Sequence, residues 1–300
     1  MKYIYRHLHI LLLFVFAALP LPVHGQTTNA DQIEVLIRCD DIGMCHAVNS
    51  AIREVLDSGL PVSTSVMFAC PWYQEAVEIL KGYKNVSVGI HLTLNAEWKN
   101  YRWGPVAGQT AVPSLVDKDG FFFPSRALLF ANNPTLDDVE RELRAQIERA
   151  LRSGLKIDYV DYHMSAAVST PELRAIVEKL AHKYGLGISR YFGETDVEGW
   201  YAAPVQSKKD TLLQRTRTVE SGAPRLFVFH VGLETPEMDA LVDLNPFGPK
   251  DMSKHRQAEM RALLSPEFRA LLSERHIKLK MYSDLVKEIG VEKMMKPAEK

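Results

Sequence analysis

The feature that most constrains this chain is an alternation. Seven short apolar runs, at 33–39, 62–68, 86–94, 157–163, 186–191, 226–231 and 276–282, alternate with stretches of helical periodicity. Strands this apolar along their whole length cannot keep one face in water. They belong to a parallel sheet covered on both sides. Helices predicted at 47–57, 73–80, 136–151 and 170–184 supply the cover, with a helical stretch at 252–272 that Pro266 breaks. Thr135 with Asp138, and Thr170 before Pro171, are start signals; Gly59, Gly154 and Gly185 are stop signals. This order predicts an α/β fold, a (β/α) barrel of the TIM-barrel kind with about seven parallel strands. Between 95 and 134 the pattern lapses into an aromatic, Gly- and Pro-rich stretch, and an unpatterned loop of that length in a compact domain is usually functional.

Composition narrows the classes. With 300 residues, 46% hydrophobic and 24% charged, the chain can bury a large core. A net charge of -1 gives no basic stripe for nucleic acid. Lys2 and Arg6, the apolar run at 10–19, and Val23 and Gly25 read as a signal peptide over 1–25. Residues 26–300 then form one barrel domain, exported to the periplasm or secreted. The apolar run is short for a membrane span, so no membrane association is expected after cleavage. Cys39, Cys45 and Cys70 make neither a disulfide framework nor a CxxC pair. A bridge from Cys45 to Cys39 or Cys70 stays open, as does a homodimer.

Chemistry collects at the strand ends. Asp40 and Asp41 end the first run, His91 lies near the end of the third, Asp161 and His163 end the fourth, Arg190 the fifth, and His230 the sixth. In a parallel barrel these ends share one face, where active sites form. Taken singly, each has a bland reading: a strand histidine is often a bonded core residue, and an aspartate after a strand often caps a helix. Five strands ending this way define a functional cluster. Imidazoles plus a carboxylate suit one divalent ion, zinc or magnesium, with positions left for water and substrate. A second carboxylate outside the ligand set could act as base on that water. Strand neighbours point to opposite faces, so Asp40 and Asp41 share a pocket only if the strand end turns.

The blocks LIRCDDIGMCHAVNSAI, VSTSVMF, VGIHLTL, ELRAQIERALRSGLKIDYVDYH, RLFVFHVG and RALLSPEFRALLSERHIKLKMYSDL resemble the YdjC family of carbohydrate deacetylases, relatives of the polysaccharide deacetylases. The resemblance implies a metal-dependent hydrolase that removes N-acetyl groups from a small sugar or oligosaccharide. It implies Asp41, His91 and His163 as metal ligands, Asp40 as general base, His230 as acid, and Arg190 as the arginine that orients or charge-tunes Asp40. Two departures stand out. The family's Asp-Ser-His-x-His is Asp161-Tyr162-His163-Met164-Ser165 here, and Val231 replaces a proline after the late histidine. Met164 therefore reshapes the pocket. Trp98, Tyr101 and Trp103 either stack on a sugar or anchor their loop. His46 is second to an aspartate or merely near the pocket, His182 is solvated, and helix 140–152 is a solvent face. The same ligands also fit a metal-dependent phosphoesterase or another amidohydrolase. A non-catalytic carbohydrate-binding barrel is the remaining alternative, but binding needs neither Asp40 nor His230.

Overall fold

Side chains of the first strand alternate between two environments. Val35, Ile37 and Cys39 pack outward against the helices, whereas Leu36 belongs to a separate inner cluster with Tyr159, Phe192, Leu226, Tyr282 and Leu285. With a side-chain period of two, Arg38 and Asp40 follow Leu36 into the interior. The structure, a computed structural model, describes residues 32–246 and 248–297. The predicted signal peptide at 1–25 lies outside the described residues.

The chain runs β1 (Glu34–Ile42), α1 (His46–Asp57), β2 (Val62–Val66), α2 (Tyr73–Lys81), β3 (Val86–Leu92), α3 (Arg126–Ala131), α4 (Leu136–Arg152), β4 (Tyr159–Tyr162), α5 (Pro171–Tyr184), β5 (Gly187–Ile188), β6 (Thr195–Asp196), α6 (Lys208–Arg217), β7 (Arg225–Phe229), α7 (Pro236–Asp239), α8 (Met252–Leu263), α9 (Pro266–Glu274), β8 (Lys278–Lys280) and α10 (Tyr282–Ile289). The strands pair in the order β5-β4-β3-β2-β1-β7-β6, with β8 on β1, and every pair is parallel. The expected α/β barrel is present, but as a curled sheet that stays open. β5 and β6 are its two ends and share no ladder. Across that seam Arg190, just after β5, pairs with Asp196 of β6 through Nε–Oδ2 and Nη2–Oδ1 contacts, each 2.7 Å.

The interior is filled from below. Ser63, Ser65, Ser87 and Gly89 are small, and they make room for the rings of Tyr159 and Tyr282, which stack at 4.2 Å. A Cβ on Gly89 would lie 2.3 Å from the Tyr159 ring, so this position must stay glycine. Tyr282 opens α10, whose first backbone N–H groups donate to Ser63 Oγ and Ser87 Oγ. The run at 276–282 is therefore only partly strand: β8 is three residues long, and the rest becomes a helix that plugs the barrel floor. Likewise the run at 186–191 keeps only two strand residues, because Arg190 takes a left-handed φ of 73° and turns the chain away. The break near Pro266 falls as expected, between α8 and α9. The helix at 140–152 is not wholly a solvent face: Glu142 is buried, and its carboxylate accepts the N–H groups of Val106 and Ala107, anchoring the long loop.

Candidate active site

Asp40 and Asp41 reach the same pocket because β1 is bulged. Its register against β2 shifts between Cys39 and Ile42, and Asp41 takes a φ of 71°. The extra residue breaks the alternation that would have turned one carboxylate outward. On β3 the inward phase carries His91, and on β4 it carries Asp161, with His163 immediately after the strand. Met164 and Ser165 follow with φ of 47° and 58°, two left-handed residues in succession. Strain of this kind costs roughly 1–3 kcal/mol per residue and collects where a site dictates the backbone.

Three atoms converge. Asp41 Oδ1 lies 3.4 Å from His91 Nε2 and 3.5 Å from His163 Nδ1, and the two nitrogens are 3.3 Å apart. Ligands at ~2.0–2.1 Å in a tetrahedron stand ~3.3–3.4 Å from one another, so this triangle has the size a tetrahedral ion requires. Each of these side chains is fixed from behind. His91 donates from Nδ1 to Asp161 Oδ1 at 2.8 Å, which leaves its Nε2 lone pair facing the triangle. His163 donates from Nε2 to Glu97 Oε2 at 3.0 Å, which does the same for Nδ1. Arg256 of α8 holds Asp41 Oδ2 at 2.6 Å, while Asp41 Oδ1 is buried without a hydrogen-bond partner. An orphaned carboxylate oxygen beside two aimed imidazole lone pairs fits a divalent cation.

Charge supports the same fit. Asp40, Asp41, Glu97 and Asp161 are four buried carboxylates, and Arg38 and Arg256 are the two buried guanidinium groups that touch members of the set. With both imidazoles neutral, as ligation of an ion would require, four negative charges against two positive leave a deficit of two. Burial opposes ionisation of Asp41, but Arg256 and the two histidines hold it well below the usual carboxylate range. Asp161 is likewise brought down to about 2, against burial, by Arg38 and His91. Burial alone would lower His163; Glu97 and Asp41 carry it up to about 9.

Asp40 stands outside the triangle. Arg38 Nε and Nη2 grip its two oxygens at 2.7 and 2.8 Å. His230 Nε2 lies 4.0 Å from Asp40 Oδ2, its Nδ1 is buried without a partner, and burial lowers its pKa against the pull of the nearby carboxylates. The His230 backbone N–H donates to Glu259, which Lys208 pairs at 2.8 Å, and this brace sets the exit of β7. Asp40, Arg38, His91, Met164, Arg190, Tyr201 and His230 line a cavity of about 340 Å³ at the C-terminal mouth of the sheet.

Some sequence expectations need correction. Arg190 makes no hydrogen bond to Asp40; its guanidinium is engaged by Asp196 across the seam, and Arg38 is the arginine on Asp40. Trp98 and Trp103 are only 1% and 3% exposed, and their indole N–H groups point to Met44 Sδ and Asn95 O. They anchor their loop and cannot stack on a ligand; Tyr101 is tied the same way, its hydroxyl bonded to the Met44 carbonyl. Exposed groups at the cavity rim include Met164, 41% exposed, and Tyr201, 43% exposed and edge-on to the His230 ring, together with Ser165 and Glu198. His46 is a surface group bound to Glu75. The three cysteines are free and buried, so no Cys45 bridge forms in this structure. Trp98→Ala is therefore expected to destabilise the fold by about 3–5 kcal/mol, whereas Tyr201→Ala should stay within about 0.5 kcal/mol. Urea denaturation compares them; a Trp98 variant of unchanged stability would return that residue to a ligand-facing role.

The family comparison agrees with this architecture. The YdjC-like protein profile matches residues 34–274, and the chain belongs to that family. A "Carbohydrate deacetylase 1" from Listeria innocua is 26% identical over 259 residues, covering 84% of this chain and all of the relative. A "Carbohydrate deacetylase" from Brevibacillus brevis is 28% identical over 265 residues, with the same coverage. A crystal structure from Enterococcus faecalis V583, described as a candidate cellobiose-phosphate cleavage protein, shares the fold with a TM-score of 0.71 at 23% identity, covering 85% of this chain and 99% of that one.

Proposed function

We propose that this protein is a metal-dependent carbohydrate deacetylase that hydrolyses the N-acetyl group of a small sugar or oligosaccharide. The observation that carries the reading is the triangle of Asp41 Oδ1, His91 Nε2 and His163 Nδ1 with Asp40 beside it. A divalent ion held by these three residues, zinc or magnesium, would supply polarisation of the acyl oxygen and acidify a bound water. The chain's own groups do the rest. Asp40 accepts the proton of the attacking water, and Arg38 fixes the direction of its carboxylate. His230, facing Asp40 from β7, takes up the proton that Asp40 has accepted and passes it to the departing amine nitrogen. Tyr201 and Met164 frame the sugar at the rim. The names of the relatives support the acetylated sugar as substrate.

The test is acetate release from a panel of N-acetylated sugars by protein loaded with zinc or magnesium. Release from at least one sugar is expected. Hydrolysis of phosphate esters without acetate release would favour a phosphoesterase, and sugar binding without turnover a binding barrel.

Metal affinity should depend on pH with a defined sign. With no ion bound, His163 is protonated below about 9, and that proton must leave before Nδ1 can ligate. Neighbouring carboxylates also raise His91, so affinity is expected to rise with pH through neutrality as both imidazoles give up a proton. Calorimetry in buffers of different ionisation enthalpy should register proton release at pH 7; no release would contradict the protonated state.

The chain is further read as an exported protein, with residues 26–300 forming the mature barrel domain. Among the described residues no helix is long and apolar enough to cross a membrane. N-terminal sequencing from the native host is expected to begin near Gln26. Intact Met1 in a soluble cytoplasmic fraction would overturn the assignment.

A further inference from the structure

A second group of potential ligands lies beside the first. Asp40, His91 and Asp161 also bring one ligand atom each within 4.8 Å of one another. Between the two carboxylates sits a cation already. Arg38 Nε is 2.7 Å from Asp40 Oδ1 and 3.0 Å from Asp161 Oδ2, and Nη2 takes the other Asp40 oxygen at 2.8 Å. Nη1 donates to Ser189 Oγ at 2.6 Å, and Ser189 is bonded in turn to Tyr282 on the barrel floor. All these groups are buried. We propose that Arg38 is a positioning residue that occupies the place of a second cation, bridging Asp40 and Asp161 and restricting the site to one divalent ion.

The charge count explains why this matters. With Arg38 present and both imidazoles neutral as ligands, the four buried carboxylates of the site exceed its two guanidinium groups by two, the charge of one divalent ion. Without Arg38 the excess is three, and Asp40 and Asp161 face each other with no counter-ion. Like charges at that separation cannot both stay ionised cheaply, and a metal is the strongest available partner for two buried carboxylates; His91 supplies no lone pair to it, because Nε2 serves the first ion and Nδ1 donates to Asp161. The bridge also couples two jobs: Asp161 orients His91, whereas Asp40 is read as the base. One guanidinium thus sets the distance between the proton acceptor and the support of the metal. A lysine supplies the charge but not the planar fork.

The inference rests on the metal-site reading of the proposed function, and the experiment separates the two. Parent, Arg38→Ala, Arg38→Lys and the double variant Arg38→Ala/Asp161→Asn are titrated with zinc alone and their metal content measured after gel filtration. The parent should hold one zinc per chain and Arg38→Ala two, with a second calorimetric transition. The double variant should return to one, and Arg38→Lys should also hold one, because its charge blocks the second site. If Arg38→Ala folds only with zinc added, recovery of native circular dichroism should need two equivalents. Arg38→Ala saturating at one zinc, or recovering its fold with one, overturns the inference and leaves the metal site standing. No zinc on the parent removes the metal-site reading itself. In the zinc-loaded Arg38→Lys variant, kcat on an acetylated sugar should fall with little change in KM, because the charge is restored and the direction of Asp40 is not. Unchanged kcat in Arg38→Lys would reduce Arg38 to charge balance and overturn its positioning role.

Discussion

Replacing His91 or His163 with alanine is expected to strip the metal and abolish turnover. Each imidazole supplies one of the three atoms of the proposed metal triangle; loss of His163 would leave Glu97 buried without its partner, whereas loss of His91 would leave Asp161 with Arg38 and Ser65. Loss of an outer partner typically costs about 10–100-fold in metal affinity, and loss of a ligand costs more. Glu97→Gln therefore sets the scale: it should retain metal at high concentration but bind it about 10–100-fold more weakly. Elemental analysis and zinc titration of the alanine variants provide the measurement. If both hold metal as tightly as the parent, the triangle is not the metal site.

Asp40→Asn should produce a different signature: activity lower by about 10²–10⁴-fold with metal content intact. The amide keeps the shape of the carboxylate but cannot accept the proton of an attacking water, and one of its two contacts with Arg38 is lost. The three convergent ligand atoms are untouched. Asp41→Asn should instead weaken metal binding, and its activity should partly return with excess ion. His230→Ala should keep the metal and lose turnover, least on substrates whose leaving group needs no proton. Metal loss in Asp40→Asn with retention in Asp41→Asn would swap the two roles.

What could be read from the sequence, and what could not, follows from physical range. Strand ends bearing Asp40, Asp41, His91, Asp161, His163 and His230 were visible because apolar runs make a polar terminus conspicuous, and parallel topology gathers those ends. The partners that aim them were not. Glu97 sits in a loop without periodicity, and Arg256 lies on a helix whose charged residues look like a solvent face. Arg38 did leave a signal: a charge inside an otherwise apolar strand, two residues before a pocket carboxylate and hence on the same face. Arg190 stands at the expected end of the sheet but pairs with Asp196 rather than Asp40, because the open seam that binds it is a property of sheet closure with no local signal. The two-residue strands β5 and β6, and the floor helix α10, depend on tertiary packing and have no local pattern of their own.

The left-handed backbone at Asp41 also limits how the proposed ion site could be re-engineered. At φ 71°, asparagine and aspartate are the side chains that tolerate the conformation best, and other L residues pay roughly 1–2 kcal/mol to adopt it. Exchanging Asp41 for a thiolate or a third imidazole, the usual route to a softer ion, would therefore change the ligand and distort the bulge that aims it. His91 lies in regular strand and carries no such restriction. Attempts to retune the ion should begin on β3, where ligand chemistry can be varied without disturbing the chain trace.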